Sequence, residues 1–187
     1  MSQQTDEELL DVRVDRMGQK LGQCFHALER ELTWMHWRWK QHRILFGNDS
    51  KVDLLNQSAS FFFYLVHRVF FEDTLLAIAR LTDKVNAGGH VALTVQQLPL
   101  LVDDRIRAEV TALTDTAIAA AKFAVVWRNN HIAHRNLNLA LDDNQRKVPE
   151  AKQEDVESAL AALRKRCHCY LTPRVRRFFR EKTWRWH

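Results

Sequence analysis

The segment Arg128-Asn129-Asn130-His131-Ile132-Ala133-His134 gathers the residue types that acid–base chemistry on a phosphate requires. Histidine, with an unperturbed pKa of about 6.5, both takes and gives a proton near neutral pH. Arginine adds a permanent charge and a fork of donors matched to phosphate oxygens. On an α-helix advancing about 100° per residue, His131 lies about 60° from Arg128 and His134 about 120° from it on the same side, with Arg135 nearly beneath Arg128. One wide face would then carry two guanidinium groups and two imidazoles, while Asn129 points elsewhere and is placed to orient the others. Such a cluster is poor core material, because unpaired charge is costly to bury, so it should face a cleft, a partner or solvent. The same residues also suit a polar C-terminal helix turn in which cationic side chains meet the last carbonyls. Arg30 and His36 repeat the Arg-x5-His spacing, so spacing alone does not single out a site.

Stepping out from that segment, the chain has the composition of a globular protein, with 46% hydrophobic and 27% charged residues in 187. Five Gly and three Pro are too few for the many tight turns of an all-β fold, so long helices are expected. No apolar run approaches the roughly 20 residues of a membrane span, since Phe61 to Val66 is cut off by His67 and Arg68. Cys24, Cys167 and Cys169 behind a polar N-terminus fit a reducing cytoplasm. One residue between Cys167 and Cys169 is not the usual zinc spacing and no second half-site follows, so no metal and no cofactor is expected.

The net charge of +5 is unevenly distributed. Of 28 basic and 23 acidic residues, nine basic and one acidic fall from Arg164 onward, which leaves the body mildly acidic. There Arg174, Arg176, Arg177, Arg180 and Arg185 alternate with Phe178, Phe179, Trp184 and Trp186. Guanidinium groups beside aromatic faces suit a phosphate backbone and unstacked bases. An amphipathic helix packing its aromatics on the body or on a second subunit reads equally well.

The elements that must position the Arg-His segment can be laid out from the punctuation. A first helical stretch should run from about Glu7 to Phe46, breaking at Gly18 or Gly22 and ending at Gly47-Asn48-Asp49-Ser50. Its Trp34, Trp37 and Trp39 read as core or interface rather than as a base-stacking platform. A second helix from Asp53 to about Thr82 is apolar on every side at Phe61 to Val66, as expected of a buried central helix. Its charged residues Glu72, Asp73, Arg80 and Asp83 invite pairing with one another or with Arg128, where Glu72 or Asp73 would orient the guanidinium. Asn86 to Gly89 should form a loop, and Thr94-Val95-Gln96-Gln97 has the form of a capping box. Asp103-Asp104 open a third long helix that ends near Trp127-Arg128, and a fourth follows Pro149 with Leu160, Leu163 and Cys167 on one face. Pro173 sets off the basic tail, 172–187. No domain linker is visible, so 1–187 reads as a single helical domain.

Two segments carry a family resemblance. Arg128 to His134 resembles the Arg-x(4 to 6)-His signature of the HEPN superfamily, including the polar residue after its Arg. Phe70-Phe71-Glu72-Asp73-Thr74-Leu75-Leu76-Ala77-Ile78-Ala79-Arg80-Leu81-Thr82-Asp83 resembles the corresponding helix of the AbiU-type abortive-infection branch, with its Arg-Leu-Thr-Asp ending. The resemblance covers roughly residues 55–170. It implies an all-α, four- to five-helix up-and-down bundle, here with an additional short C-terminal basic helix. It also implies a homodimer whose motifs meet in a shared cleft, and a metal-independent endoribonuclease, a toxin or phage-defence effector of bacterial or archaeal cytoplasm. Arg128, Asn129 and His134 are the catalytic residues so implied, with His131, Arg135, Glu72 and Asp73 as accessory candidates from geometry. RNA is the expected substrate, the five tail arginines are RNA-binding candidates, an antitoxin protein is a candidate partner, and no membrane is expected. Superfamily toxins regulated by a companion nucleotidyltransferase typically place a Tyr two residues after the motif His. Asn136 stands there, so nucleotidylation at that position is not expected. The alternative function is a non-catalytic helical dimer binding RNA or a protein.

Overall fold

The computed structural model describes residues 5–87, 89–132 and 151–170, and these form an all-α bundle. Six helices stand where four or five were expected, because the first stretch divides in two and a one-turn helix precedes the third long one. Helix α1, Asp6–Met17, is started by a reciprocal cap: the Thr5 hydroxyl accepts from the Glu8 N–H at 3.2 Å, and the Glu8 carboxylate accepts from the Thr5 N–H at 2.9 Å. It ends at Gly18, whose φ of 79° is open to glycine at little cost. Helix α2, Gln19–Phe46, then returns alongside α1. Gly22 does not break it. A side chain there would begin 2.8 Å from the backbone of Val14, so Gly22 lets the two helices touch.

Polar contacts fix the antiparallel register of this hairpin. Arg13 is buried and pairs with Glu29, its Nη1 lies 2.6 Å from Nδ1 of His26, and Asp6 meets Arg30 at 3.2 Å. Gly47 follows α2, and the Asn48 side chain accepts from the Lys51 N–H at 3.0 Å to start α3, Asp49–Leu81. Helix α3 runs back along α2, with Asp73 paired to Arg38 and the rings of His67 and His42 4.8 Å apart. It changes direction at Ala59 (φ −159°, ψ 72°).

The apolar run Phe61 to Val66 corrects the expectation of a buried central helix. Phe61 is 72% exposed and Phe62 60%, and Leu54, Tyr64, Leu65 and Val69 are exposed as well. The core contribution of α3 comes later, from Leu75, Ala77, Ile78, Ala79 and Leu81. These pack with Phe25, Leu28, Leu32 and Met35 of α2 and with the small face Val110, Ala117, Ala121 and Ala124 of α5, Asp104–Trp127. Alanines on that face let α3 approach closely. Helix α6, Gln153–Tyr170, closes the core with Val156, Leu160 and Leu163 and pairs Glu157 with Arg43. By length and composition alone Asp104–Asn130 is also long and apolar enough to cross a membrane, although its buried stripe is that of a bundle helix.

Between α3 and α5 the chain makes a two-residue antiparallel ladder, β1 Asn86–Ala87 with β2 His90–Val91, where a plain loop was expected. A 3₁₀ turn, Val95–Gln97, and the short α4, Leu98–Leu101, lead to Asp103, whose side chain accepts from the Arg105 N–H at 3.0 Å to start α5.

Candidate functional site

Helix α5 does not stop at Trp127; it widens into a π turn over Arg128–Ile132. The 100° step that placed His131 relative to Arg128 therefore does not hold here, because i→i+5 bonding puts more residues in each turn. Such turns recur at functional sites. The Asn130 side chain serves the helix end by donating to the carbonyl of Val126 at 2.7 Å. Arg128 is left for another role.

That role is set by Asp83. Nη1 of Arg128 donates to Oδ2 of Asp83 at 2.5 Å, across 45 residues of chain, and Nε donates to Oδ1 of Asn129 at 3.1 Å. Among the described residues the guanidinium is held through Nη1 and Nε, and no hydrogen bond reaches Nη2. The pair is neither buried nor free, with side chains 19% and 31% exposed. Behind it, the edge of the Trp127 ring meets Phe71 at 6.5 Å between centroids.

Asp83 is itself held at three points. Its carboxylate Oδ1 accepts from the Lys84 N–H at 3.3 Å, its Oδ2 from Arg128, and its backbone carbonyl from the Thr94 hydroxyl at 2.7 Å. Thr94 is completely buried and also reaches the Leu81 carbonyl at 2.9 Å, while the Gln96 amide donates to the Thr82 carbonyl at 3.1 Å. The expected capping box is thus only half present. Thr94 accepts from Gln96 N–H at 3.4 Å, but the Gln97 side chain turns to the Ala92 carbonyl instead.

The other charged candidates on α3 point elsewhere. Glu72 bonds Arg68 at 2.7 Å one turn away, and Asp73 pairs with Arg38 of α2, so neither is the carboxylate that meets Arg128. Geometry favours Asp83 because it lies just past the end of α3, level with the end of α5. His131 contributes its backbone to the π turn. His134, Arg135 and the tail arginines Arg174, Arg176, Arg177, Arg180 and Arg185 lie outside the described residues.

The repeated spacing at Arg30 and His36 is resolved by position. Arg30 is exposed and paired with Asp6, whereas His36 is turned inward with Nε2 buried and unpartnered. Burial, and secondarily the charge of Arg164, pushes the His36 pKa down to about 4. His42 is likewise lowered to about 4, by burial first and by His67 second, and stacks on Trp39 at 4.8 Å. Both imidazoles are neutral near pH 7 and poorly suited to exchange protons there.

Within this all-α bundle Arg128, which opens the Arg-x5-His sequence, meets from the end of α5 the residue just past the end of α3. The family model HEPN_AbiU2, described as AbiU2, matches residues 18–171, and the chain belongs to that family. No curated protein and no solved structure matches it. The match begins at Gly18, so α1 lies just before it.

Proposed function

We propose that this abortive-infection HEPN protein is a metal-independent endoribonuclease acting as a homodimer in the bacterial or archaeal cytoplasm. The observation that carries the reading is the Arg128–Asp83 pair, in which the two segments that resemble the family, 45 residues apart in sequence, meet. In the reaction, a ribose 2′-hydroxyl attacks the adjacent phosphorus in line. The P–O5′ bond breaks, leaving a 2′,3′-cyclic phosphate and a 5′-hydroxyl, and DNA, which lacks the nucleophile, is spared. His134 takes or gives a proton, Arg128 stabilises the charge gathering on the phosphorane, and Asn129 holds the arginine. The second proton-transfer group is His134 of the partner subunit or His131.

A partner copy is supported by the exposed apolar stripe Phe61, Phe62, Leu65 and Val69 of α3, with Leu54 beyond the bend at Ala59, because clustered exposed apolar side chains mark interaction surfaces. The stripe begins near Phe71, whose ring touches Trp127, so covering it brings a second chain toward the end of α5. The same stripe favours a second reading, a non-catalytic dimer that engages RNA or a protein such as an antitoxin.

Cleavage of labelled RNA in EDTA separates the two. Arg128→Ala is expected to lower the rate by about 10²–10³, the usual loss on removing one transition-state donor, and His134→Ala to abolish it. Binding without product would favour the second reading, and cleavage unaffected by His134→Ala would sink the catalytic assignment.

A further inference from the structure

We propose that Thr94 is a positioning residue for this site, setting the angle of the Arg128 guanidinium through Asp83. The effect on rate rests on the ribonuclease reading; the geometry does not. Helix α3 ends at Leu81, with Thr82 as its cap, so the carbonyls of Leu81 and Asp83 fall beyond its regular bonding and need other partners. A single buried hydroxyl serves both, at 2.9 and 2.7 Å, sharing one proton between two acceptors.

The hydroxyl reaches that position because the chain doubles back. The β1–β2 ladder is extended by the Ala92 N–H donating to the Val85 carbonyl at 2.8 Å, and the Gln97 side chain caps the Ala92 carbonyl. This strap returns Thr94 beneath the end of α3. Val95 and Leu98, both fully buried, anchor it in the core. The Asp83 backbone is thereby tied to the rigid part of the bundle, while its carboxylate reaches out to Nη1 of Arg128.

Without the hydroxyl, two carbonyls lose their donor in a buried place, and the turn carrying Asp83 must shift to find others. A shift there moves the guanidinium. Misplacing a catalytic group by about 1 Å is enough to lower a rate by roughly 100-fold, so the consequence should be visible in chemistry more than in substrate affinity.

The test is Thr94→Val, which keeps the shape and removes the hydroxyl, beside Thr94→Ser, which keeps the hydroxyl. Two quantities are read on the full chain: hydrogen exchange of the Arg128 guanidinium by arginine-selective NMR, and steady-state RNA cleavage across a range of RNA concentrations. Thr94→Val should lose guanidinium protection and slow cleavage by about 10- to 100-fold with little change in KM, and Thr94→Ser should restore both. Asp83→Asn, which leaves the strap intact, should lose protection in the same way and covers the case in which Thr94→Val fails to fold. Unchanged Arg128 exchange in folded Thr94→Val, or in Asp83→Asn, overturns the proposal. Loss of protection in a protein whose native form cuts no RNA would support the positioning and refute the ribonuclease reading.

Discussion

Two arginine–carboxylate pairs in this bundle have nearly the same partners and opposite settings. Arg13 and Glu29 are sealed between α1 and α2, with side chains 10% and 8% exposed, and Arg13 also engages His26. Arg128 and Asp83 join α5 to the end of α3 at 19% and 31% exposure. The first pair is buried and committed to its partners, so it can only hold. The second is oriented at a place that solvent still reaches, as the proposed chemistry requires. Burial, more than residue type, separates a structural arginine from one available for chemistry.

Removing a carboxylate from each pair should give the largest contrast. Glu29→Ala leaves a buried guanidinium without its counter-charge and should destabilise the fold by about 3–5 kcal/mol in urea titrations. Asp83→Ala, at a partly exposed site screened by solvent, should cost about 1 kcal/mol or less in the same measurement. Comparable losses at the two sites would break the distinction.

Acid should sharpen it further. The pKa values of His36 and His42 are near 4 in the fold against an ordinary 6.5, so the unfolded chain binds more protons between those values. Stability should therefore be unaffected by these groups above about pH 6.5 and fall as pH drops toward 4, with a slope of up to about 2.7 kcal/mol per pH unit for two protons. Denaturation midpoints at pH 7, 5.5 and 4.5 would register the fall. His42→Phe should flatten it, because both ring nitrogens of His42 lack partners and the ring already sits among Trp39, Phe46 and Phe71. An unchanged slope in that variant would mean the α2–α3 seam does not carry the acid sensitivity.

The smallest expected effect concerns how open the second pair is in the assembled protein. Phe62→Asp should weaken self-association by at least about tenfold, or 1.4 kcal/mol, in sedimentation equilibrium without changing the monomer's helical content. A monomer of the native chain at micromolar concentration would remove the stripe from the dimer argument.

Much of the scaffold was legible in the residues. Gly47 and Asn48 marked the α2–α3 reversal, Asp103 marked the start of α5, and Leu160 and Leu163 fell on the buried face of α6. Other features were not, for identifiable reasons. A run such as Phe61 to Val66, apolar on every side, reads the same whether it lies in a core or on an exposed face, and only the packing of α2 and α5 around Leu75 and Ile78 decides which. Gly18 and Gly22 look alike in sequence, yet one bends the chain and the other admits a neighbouring helix. In the candidate site, the sequence offered Arg128 several carboxylates, Asp83 among them, but did not single out the one that meets it. Choosing Asp83 over Glu72 and Asp73 required knowing where α3 ends, and the π turn altered the angles on which His131 was placed.

The spacing of these contacts along the chain also orders their formation. Arg13 and Glu29 are 16 residues apart, Asp83 and Arg128 45, and Arg43 and Glu157 114. Closing the longest of these loops costs about 2 kcal/mol more entropy than closing the shortest. The α1–α2 hairpin, short in loop and early in synthesis, is thus the natural first unit to form, and it completes its own ion pair before the residues of the site have been made. Arg128 meets Asp83 only after α5 is finished, so a nascent chain carries the paired Arg13 long before it carries Arg128.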